Sequence, residues 1–147
     1  MIVGTFREVD ILYAEDSLTD AEVTMRAFRK ANLGNRVLWV KDGQEALDAL
    51  LSVGTNEARP RLVLLDLKMP KVDGLEVLRA IRSSEMLRSL PVVMLTSSAE
   101  EADLVRSYEL RVNSYIVKPV DFAQLTDQVA RLGYYWVVMN RLPEPEV

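Results

Sequence analysis

The chain contains no histidine and no cysteine. Without cysteine there can be no disulfide, no thiolate metal site and no cysteine nucleophile. Without imidazole there is no Ser-His triad, no histidine-ligated metal and no phosphohistidine carried by the chain itself. Polar chemistry is left to carboxylates, lysine, arginine and hydroxyls, a donor set that favours a hard cation such as Mg²⁺ over zinc or copper. Long apolar runs are missing too. None reaches the roughly 18 residues needed to span a bilayer, and Met1 to Asp10 lacks a basic region leading into an apolar stretch. A cytoplasmic location is the default expectation, with no membrane partner. Basic blocks are equally absent. The 18 Lys and Arg residues are scattered, as at Arg26, Arg29, Lys30, Arg79, Arg82 and Arg88, and the net charge is −4, so no nucleic-acid partner is expected.

The 147 residues suit one compact domain spanning 1–147, with a core at about 8–139 and a tail at about 140–147. Apolar residues make up 49% and charged residues 27%, a balance that argues for a folded chain over a disordered one. Short apolar runs alternate with longer amphipathic stretches, the pattern of a parallel sheet with crossover helices. The runs are Val9 to Ala14, Val37 to Val40, Leu62 to Leu65, Pro91 to Leu95 and Ser114 to Val117. The near-continuous hydrophobicity of the third and fourth predicts strands covered on both faces. Capping-box spacing at Asp42/Glu45, Asp73/Glu76, Ser98/Glu101 and Asp121/Gln124 phases the helices between them. The first helix is expected over Leu18 to Asn32, with Val23, Ala27 and Ala31 inward. The fourth is expected over about Ser98 to Leu110, with Ala102, Val105 and Leu110 inward. The last carries a stripe of Phe122, Leu125, Val129, Leu132, Trp136 and Met139. Segments 1–7, 54–60 and the tail after Asn140 are expected to lack regular structure.

In a doubly wound five-stranded sheet, chemistry sits at the carboxyl ends of the strands, near the point where strand order reverses. Glu15-Asp16 closes the first run and Asp66 the third, while Thr96 follows the fourth and Lys118 the fifth. Any one of these could be a solvated loop residue or a helix cap. Five polar residues at equivalent ends of four strands are harder to explain that way. Three carboxylates close together repel one another unless a cation offsets them, and Mg²⁺ takes one or two carboxylates while leaving room for phosphate oxygens. Lys118 would supply a fixed positive charge and Thr96 a hydroxyl donor. Asp66 is the best candidate nucleophile, because the adjacent Glu15 and Asp16 look more like a metal platform.

From about Val9 to Met139 the chain resembles a receiver domain of two-component response regulators. The resemblance rests on Glu15-Asp16, on Asp66 with Pro70 and Gly74, on Thr96-Ser97, and on Tyr115-Ile116-Val117-Lys118-Pro119. It implies a flavodoxin-like α/β fold, a doubly wound five-stranded parallel sheet of order 2-1-3-4-5 with five helices. It also implies that a histidine kinase phosphorylates Asp66. Mg²⁺ would be held by Glu15, Asp16, Asp66 and the main-chain carbonyl of Lys68. Thr96 and Tyr115 would form a switch pair, Lys118 would bind the phosphate, and the Lys118–Pro119 peptide would be cis. Read without the resemblance, Tyr115 is more simply a half-buried packing residue, and Pro70 and Gly74 have sufficient reason in loop and helix-start geometry. The start Leu12-Tyr13-Ala14-Glu15-Asp16, the segment Asn35-Arg36-Val37 and the junction Lys118-Pro119-Val120-Asp121-Phe122 are similar to single-domain regulators of phytochrome-type kinases. One departure stands out: Arg111-Val112 replaces the Gly-Ala that often precedes the fifth strand, so a left-handed turn there is disfavoured.

Two other readings compete. Haloacid-dehalogenase-like phosphatases also use an Asp nucleophile, but they carry a second Asp two residues on, where this chain has Lys68. A protein-binding module with the same fold but no phosphate chemistry remains open. The run Gly133-Tyr134-Tyr135-Trp136-Val137-Val138-Met139 is apolar all round a helix. It is either packed between core and tail or a partner surface. The expectation is a symmetric homodimer, with Phe122, Tyr134, Tyr135, Trp136, Val138 and Met139 as interface residues.

Overall fold

The computed structural model describes residues 9–52, 59–119 and 121–143, with the backbone alone at position 35. Segment 1–7, most of 54–60 and the end of the tail lie outside the described residues. The elements run β1 (Ile11–Ala14), α1 (Leu18–Lys30), a 3₁₀ turn (Gly34–Arg36), β2 (Val37–Val40), α2 (Gly43–Leu51), β3 (Leu62–Leu65), α3 (Gly74–Ser83), β4 (Val92–Thr96), α4 (Glu101–Glu109), β5 (Ser114–Val117) and α5 (Phe122–Gly133). A π-helical segment, Tyr134–Met139, continues α5.

All strand pairs are parallel, in the order β2-β1-β3-β4-β5. This is the order that the resemblance implied, and side chains alternate between the two faces along each strand. Ile11, Tyr13, Leu62, Leu64, Val93 and Leu95 point to one face, where Ala27, Phe28, Leu125 and Val129 of α1 and α5 cover them. Leu12, Ala14, Val63, Leu65, Val92 and Met94 point to the other, under Ala46, Leu50, Val77, Leu78 and Ile81 of α2 and α3. With both faces covered, the three central strands are buried throughout.

Helix ends follow local chemistry. Asp42 caps α2 by accepting from the Glu45 N–H, and Asp73 and Glu76 form a complete capping box on α3. Asp121 caps α5 through the Ala123 N–H, one residue short of the expected partner. Helix α1 stops at Lys30, with Asn32 just beyond it in the left-handed region (φ 64°), a conformation asparagine tolerates. Arg111 also sits there, at φ 66°. The turn that arginine disfavours is therefore formed anyway, and the Arg111 carbonyl accepts from Arg82 Nε at 3.1 Å and Nη2 at 2.8 Å.

Three further expectations fail. Helix α4 starts at Glu101, and its cap residue Glu100 makes no side-chain cap bond. Ser98, expected as that cap, lies two residues before it. Helix α4 also turns a partly different face inward: Asp103 and Ser107 are buried while Ala102 and Val105 are exposed, and only Leu110 of the expected set packs against the core. In the last helix the stripe holds through Phe122, Leu125, Val129, Leu132 and Trp136, all packed on the core, but the wider π turn then advances the register. Val137 is buried in place of Met139, which is 56% exposed, and Trp136 is half-buried.

Candidate functional site: a four-carboxylate cluster around Lys118

The chain runs from β1 through α1 to one side of the sheet and from β3 through α3 to the other, so the carboxyl ends of β1 and β3 flank the crevice where strand order reverses. Ala14 pairs in register with Leu65, and each is followed by an acid, Glu15 and Asp66. Oxygens of Glu15, Asp16 and Asp66 all lie within 4.8 Å of one another. Glu15 is fully buried, Asp66 is buried and Asp16 is exposed.

Several backbone contacts hold this edge. The Asp66 N–H donates to the Ala14 carbonyl at 3.0 Å, and the Glu15 N–H donates to the Val40 carbonyl at 3.0 Å. The Trp39 indole N–H donates to the Glu15 carbonyl at 2.9 Å. Gly74 is needed at the start of α3, because a Cβ there would lie 2.4 Å from the Asp66 carbonyl oxygen. Glycine thus lets the helix start press against the backbone that carries Asp66.

Pairing of Thr96 with Val117 across β4 and β5 puts Lys118 beside the same edge, and its N–H donates to the Thr96 carbonyl at 2.7 Å. The Lys118 ammonium donates to Glu15 Oε1 at 2.6 Å, Asp20 Oδ2 at 2.8 Å and Asp66 Oδ2 at 3.1 Å. Burial works against its charge, but the carboxylates of Asp20, Glu15 and Asp66 outweigh that and raise its pKa, so it stays protonated. Burial pushes Glu15 up to about 7, with the Asp66 charge adding to the rise and Lys118 opposing it. One ammonium among four carboxylates leaves an excess of negative charge, and the oxygen donors suit a divalent cation.

Thr96 is buried, and its Oγ1 accepts from the Ser98 N–H at 3.2 Å. Tyr115 is half-buried against the core, and its hydroxyl donates to the Ser98 carbonyl at 2.9 Å. Lys68 lies two residues beyond Asp66 with its side chain exposed. Among the described residues no peptide bond is cis, so the Lys118–Pro119 bond is trans. Trans is favoured by about 0.5–1 kcal/mol before any tertiary contact acts. The six interface candidates divide. Phe122 is half-buried beneath the Arg26 and Lys30 cations, 5.7 and 5.9 Å from its ring, and Trp136 is half-buried against Tyr135. Tyr134, Tyr135, Val138 and Met139 are exposed.

Asp20, Trp39 and Asp103 were not singled out in the sequence. Asp20 carries one weak signal, an acid in the first turn of the helix that follows Glu15-Asp16. Trp39 acts on a main-chain carbonyl and leaves no pattern to find.

The response regulator receiver domain model matches residues 11–130, and the chain belongs to that family. In this family phosphorylation on aspartate is typical. The chain is 47% identical over 136 residues to the probable methanogenesis regulatory protein FilR2 of Methanothrix harundinacea, covering 92% of this chain and 88% of that one. It is 36% identical to the response regulator Rcp1 of Synechocystis, over 90% of this chain and 92% of that one. The structure of Rcp1 in its Mn²⁺-bound form superposes with a TM-score of 0.78, covering 92% of this chain and 99% of Rcp1. The bacteriophytochrome response regulator RtBRR is 52% identical, with a TM-score of 0.71, 90% of this chain covered and 82% of that one. The chain is thus a receiver-domain signalling protein related to the response regulators of phytochromes. Among the described residues no helix is long and apolar enough to cross a membrane.

Proposed function

We propose that the protein is a single-domain response regulator whose Asp66 accepts a phosphoryl group from a histidine kinase, with Mg²⁺ as its resident ion. The observation that carries this reading is the convergence of Glu15, Asp16 and Asp66 within 4.8 Å, with the Lys118 ammonium bonded to Asp66. Glu15, Asp16, Asp66 and the Lys68 carbonyl would hold the ion, whose chemistry is to offset charge on the carboxylates and on the incoming phosphoryl oxygens. An Asp66 oxygen attacks phosphorus, the bond to the donor's imidazole nitrogen breaks, and the leaving imidazole keeps the electron pair and takes up a proton. Lys118, already bonded to Asp66, neutralises a phosphoryl oxygen. The Thr96 hydroxyl donates to another, and Tyr115 answers the movement of Thr96. The added charge of about −1.5 to −2 biases the fold between two conformations and changes its partners. The reading brings a cytoplasmic location with it and no turnover of other substrates.

Incubation with acetyl phosphate and Mg²⁺, followed by intact-mass measurement, tests the reading. A gain of one phosphoryl group that Asp66→Asn abolishes is expected. No gain favours a binding module that works without phosphate, and turnover of unrelated phosphate esters favours a phosphatase. A phytochrome-type kinase is the proposed donor, on the strength of the likeness to Rcp1 and RtBRR. Phosphotransfer from such a kinase, faster than from an unrelated histidine kinase, is the outcome that supports it.

The same reading includes a symmetric homodimer through the end of the last helix. Tyr134, Tyr135, Val138 and Met139 are each between 46% and 60% exposed, an apolar surface of the kind that marks interfaces. Sedimentation at micromolar concentration should give twice the mass of 16.6 kDa, and Tyr134→Ser/Val138→Ser should return it to the monomer. A monomeric wild type would remove the dimer.

A further inference from the structure

Helix α4 is built with its polarity reversed. Its buried residues are Asp103 and Ser107, while Val105 and Tyr108 are 46% and 51% exposed. Burying a carboxylate is unfavourable unless it is hydrogen-bonded, so the partner of Asp103 matters. That partner is the Ser98 hydroxyl, which donates to Asp103 Oδ2 at 2.6 Å. Ser107 does not compete, because its hydroxyl donates to the Asp103 main-chain carbonyl at 2.8 Å.

Ser98 is engaged at every polar atom. Its N–H donates to Thr96 Oγ1 at 3.2 Å, its carbonyl accepts the Tyr115 hydroxyl at 2.9 Å, and its hydroxyl oxygen accepts the Glu100 N–H at 3.3 Å. One serine therefore joins the Thr96 hydroxyl, the half-buried tyrosine of β5 and the first turn of α4. We propose that Asp103 is a positioning residue: its bond to Ser98 latches the loop between β4 and α4 in the resting arrangement and opposes the turn of Thr96 toward a phosphoryl group on Asp66. The proposal rests on Asp66 being the phosphoacceptor.

The physical reasoning is local. If Thr96 Oγ1 rotates toward Asp66, the Ser98 N–H loses its acceptor and the loop must shift. Ser98 cannot shift while its hydroxyl stays on Asp103, so the latch bond is made only in the resting state. Its free energy is subtracted from phosphoryl binding. Little apolar on α4 replaces it, because Val105 and Tyr108 face solvent and Leu104 is only half-buried. Breaking the latch leaves α4 free to seat differently.

The test is the affinity for beryllofluoride, a phosphoryl mimic, at saturating Mg²⁺, followed by ¹⁹F NMR. Ser98→Ala and Asp103→Leu should each tighten binding by about tenfold, the order expected when one hydrogen bond to a charged group is lost from one state alone. Ser98→Thr keeps the hydroxyl and should bind as the wild type does. The double variant Ser98→Ala/Asp103→Leu removes both polar partners without leaving a buried charge unpaired, so it guards against a variant that fails to fold. It should tighten binding no further than either single change. Unchanged or weaker binding in variants that keep the wild-type circular dichroism would overturn the latch while leaving the phosphoacceptor reading intact. A wild type that takes up no beryllofluoride would overturn that reading and the latch with it.

Discussion

Helices α3 and α4 follow neighbouring strands, yet they are held in opposite ways. Helix α3 has a complete capping box at its start and buries Leu75, Val77, Leu78 and Ile81. Helix α4 has no side-chain cap and buries only Asp103 and Ser107. Burial of aliphatic side chains gives a helix a deep and non-directional hold. One hydrogen bond donated to a buried carboxylate gives a directional hold that can be released. The first helix packs against the backbone carrying Asp66 through Gly74, and the second is tied by Ser98 to Thr96. The Asp66 site is thus built on a fixed support, and the proposed latch connects it to one that can move.

The comparison can be broken most forcefully at Leu78, which is fully buried. Leu78→Ala should destabilise the protein by about 3 kcal/mol, within the range for a leucine deleted from a core, as measured by urea denaturation. A loss below about 1 kcal/mol would mean that α3 is not the fixed partner.

A second effect belongs to the site that α3 supports. Glu15 is pushed up to about 7 in the folded protein from an ordinary 4.5. Between those values the native state holds a proton that the unfolded chain has released. Stability of the metal-free protein should therefore fall as pH rises from about 4.5 to about 7, by at most about 3 kcal/mol. Below the lower value the full stability is present. Saturating Mg²⁺ should flatten the slope, because the ion and the proton compete for the same carboxylates. Denaturation curves across this pH range, with and without the ion, give the answer, and a rise in stability over the window would contradict the burial of Glu15.

Arg111→Gly tests the junction between α4 and β5. Arginine at φ 66° is in a conformation that costs an L-residue about 1–2 kcal/mol and glycine little. The Arg82 bonds go to the main-chain carbonyl and survive the change. A gain of about 1 kcal/mol is expected by thermal unfolding. The smallest effect is expected on the outer face of α4, where Val105→Ser and Tyr108→Ser should each move stability by less than about 0.5 kcal/mol. A larger loss would show that this face is packed and that the contrast with α3 is false.

Much of the fold was legible because strands covered on both faces leave short continuous apolar runs. β2, β3 and β5 lie where their runs were expected, and β1 and β4 differ only at their ends. The acids and the lysine were legible because strand ends in this topology converge on one edge. Helix α4 was misread for a physical reason. Periodicity arguments assign the apolar face to the core, and here Asp103 and Ser107 occupy it. The last helix was legible to Trp136 and lost at Met139, where a π turn changes the spacing that the argument assumes. The third carboxylate on Lys118, Asp20, was missed because nothing in its spacing says that a lysine 98 residues away will reach it.

The measurement that bears most directly on the pairing of a fixed support with a movable one is amide hydrogen exchange, with and without beryllofluoride and Mg²⁺. Ligand binding should change exchange across the loop after Thr96 and through α4, and leave the amides of Leu78 to Ile81 in α3 as they were. A change of equal size in both helices, or one confined to α3, would contradict it.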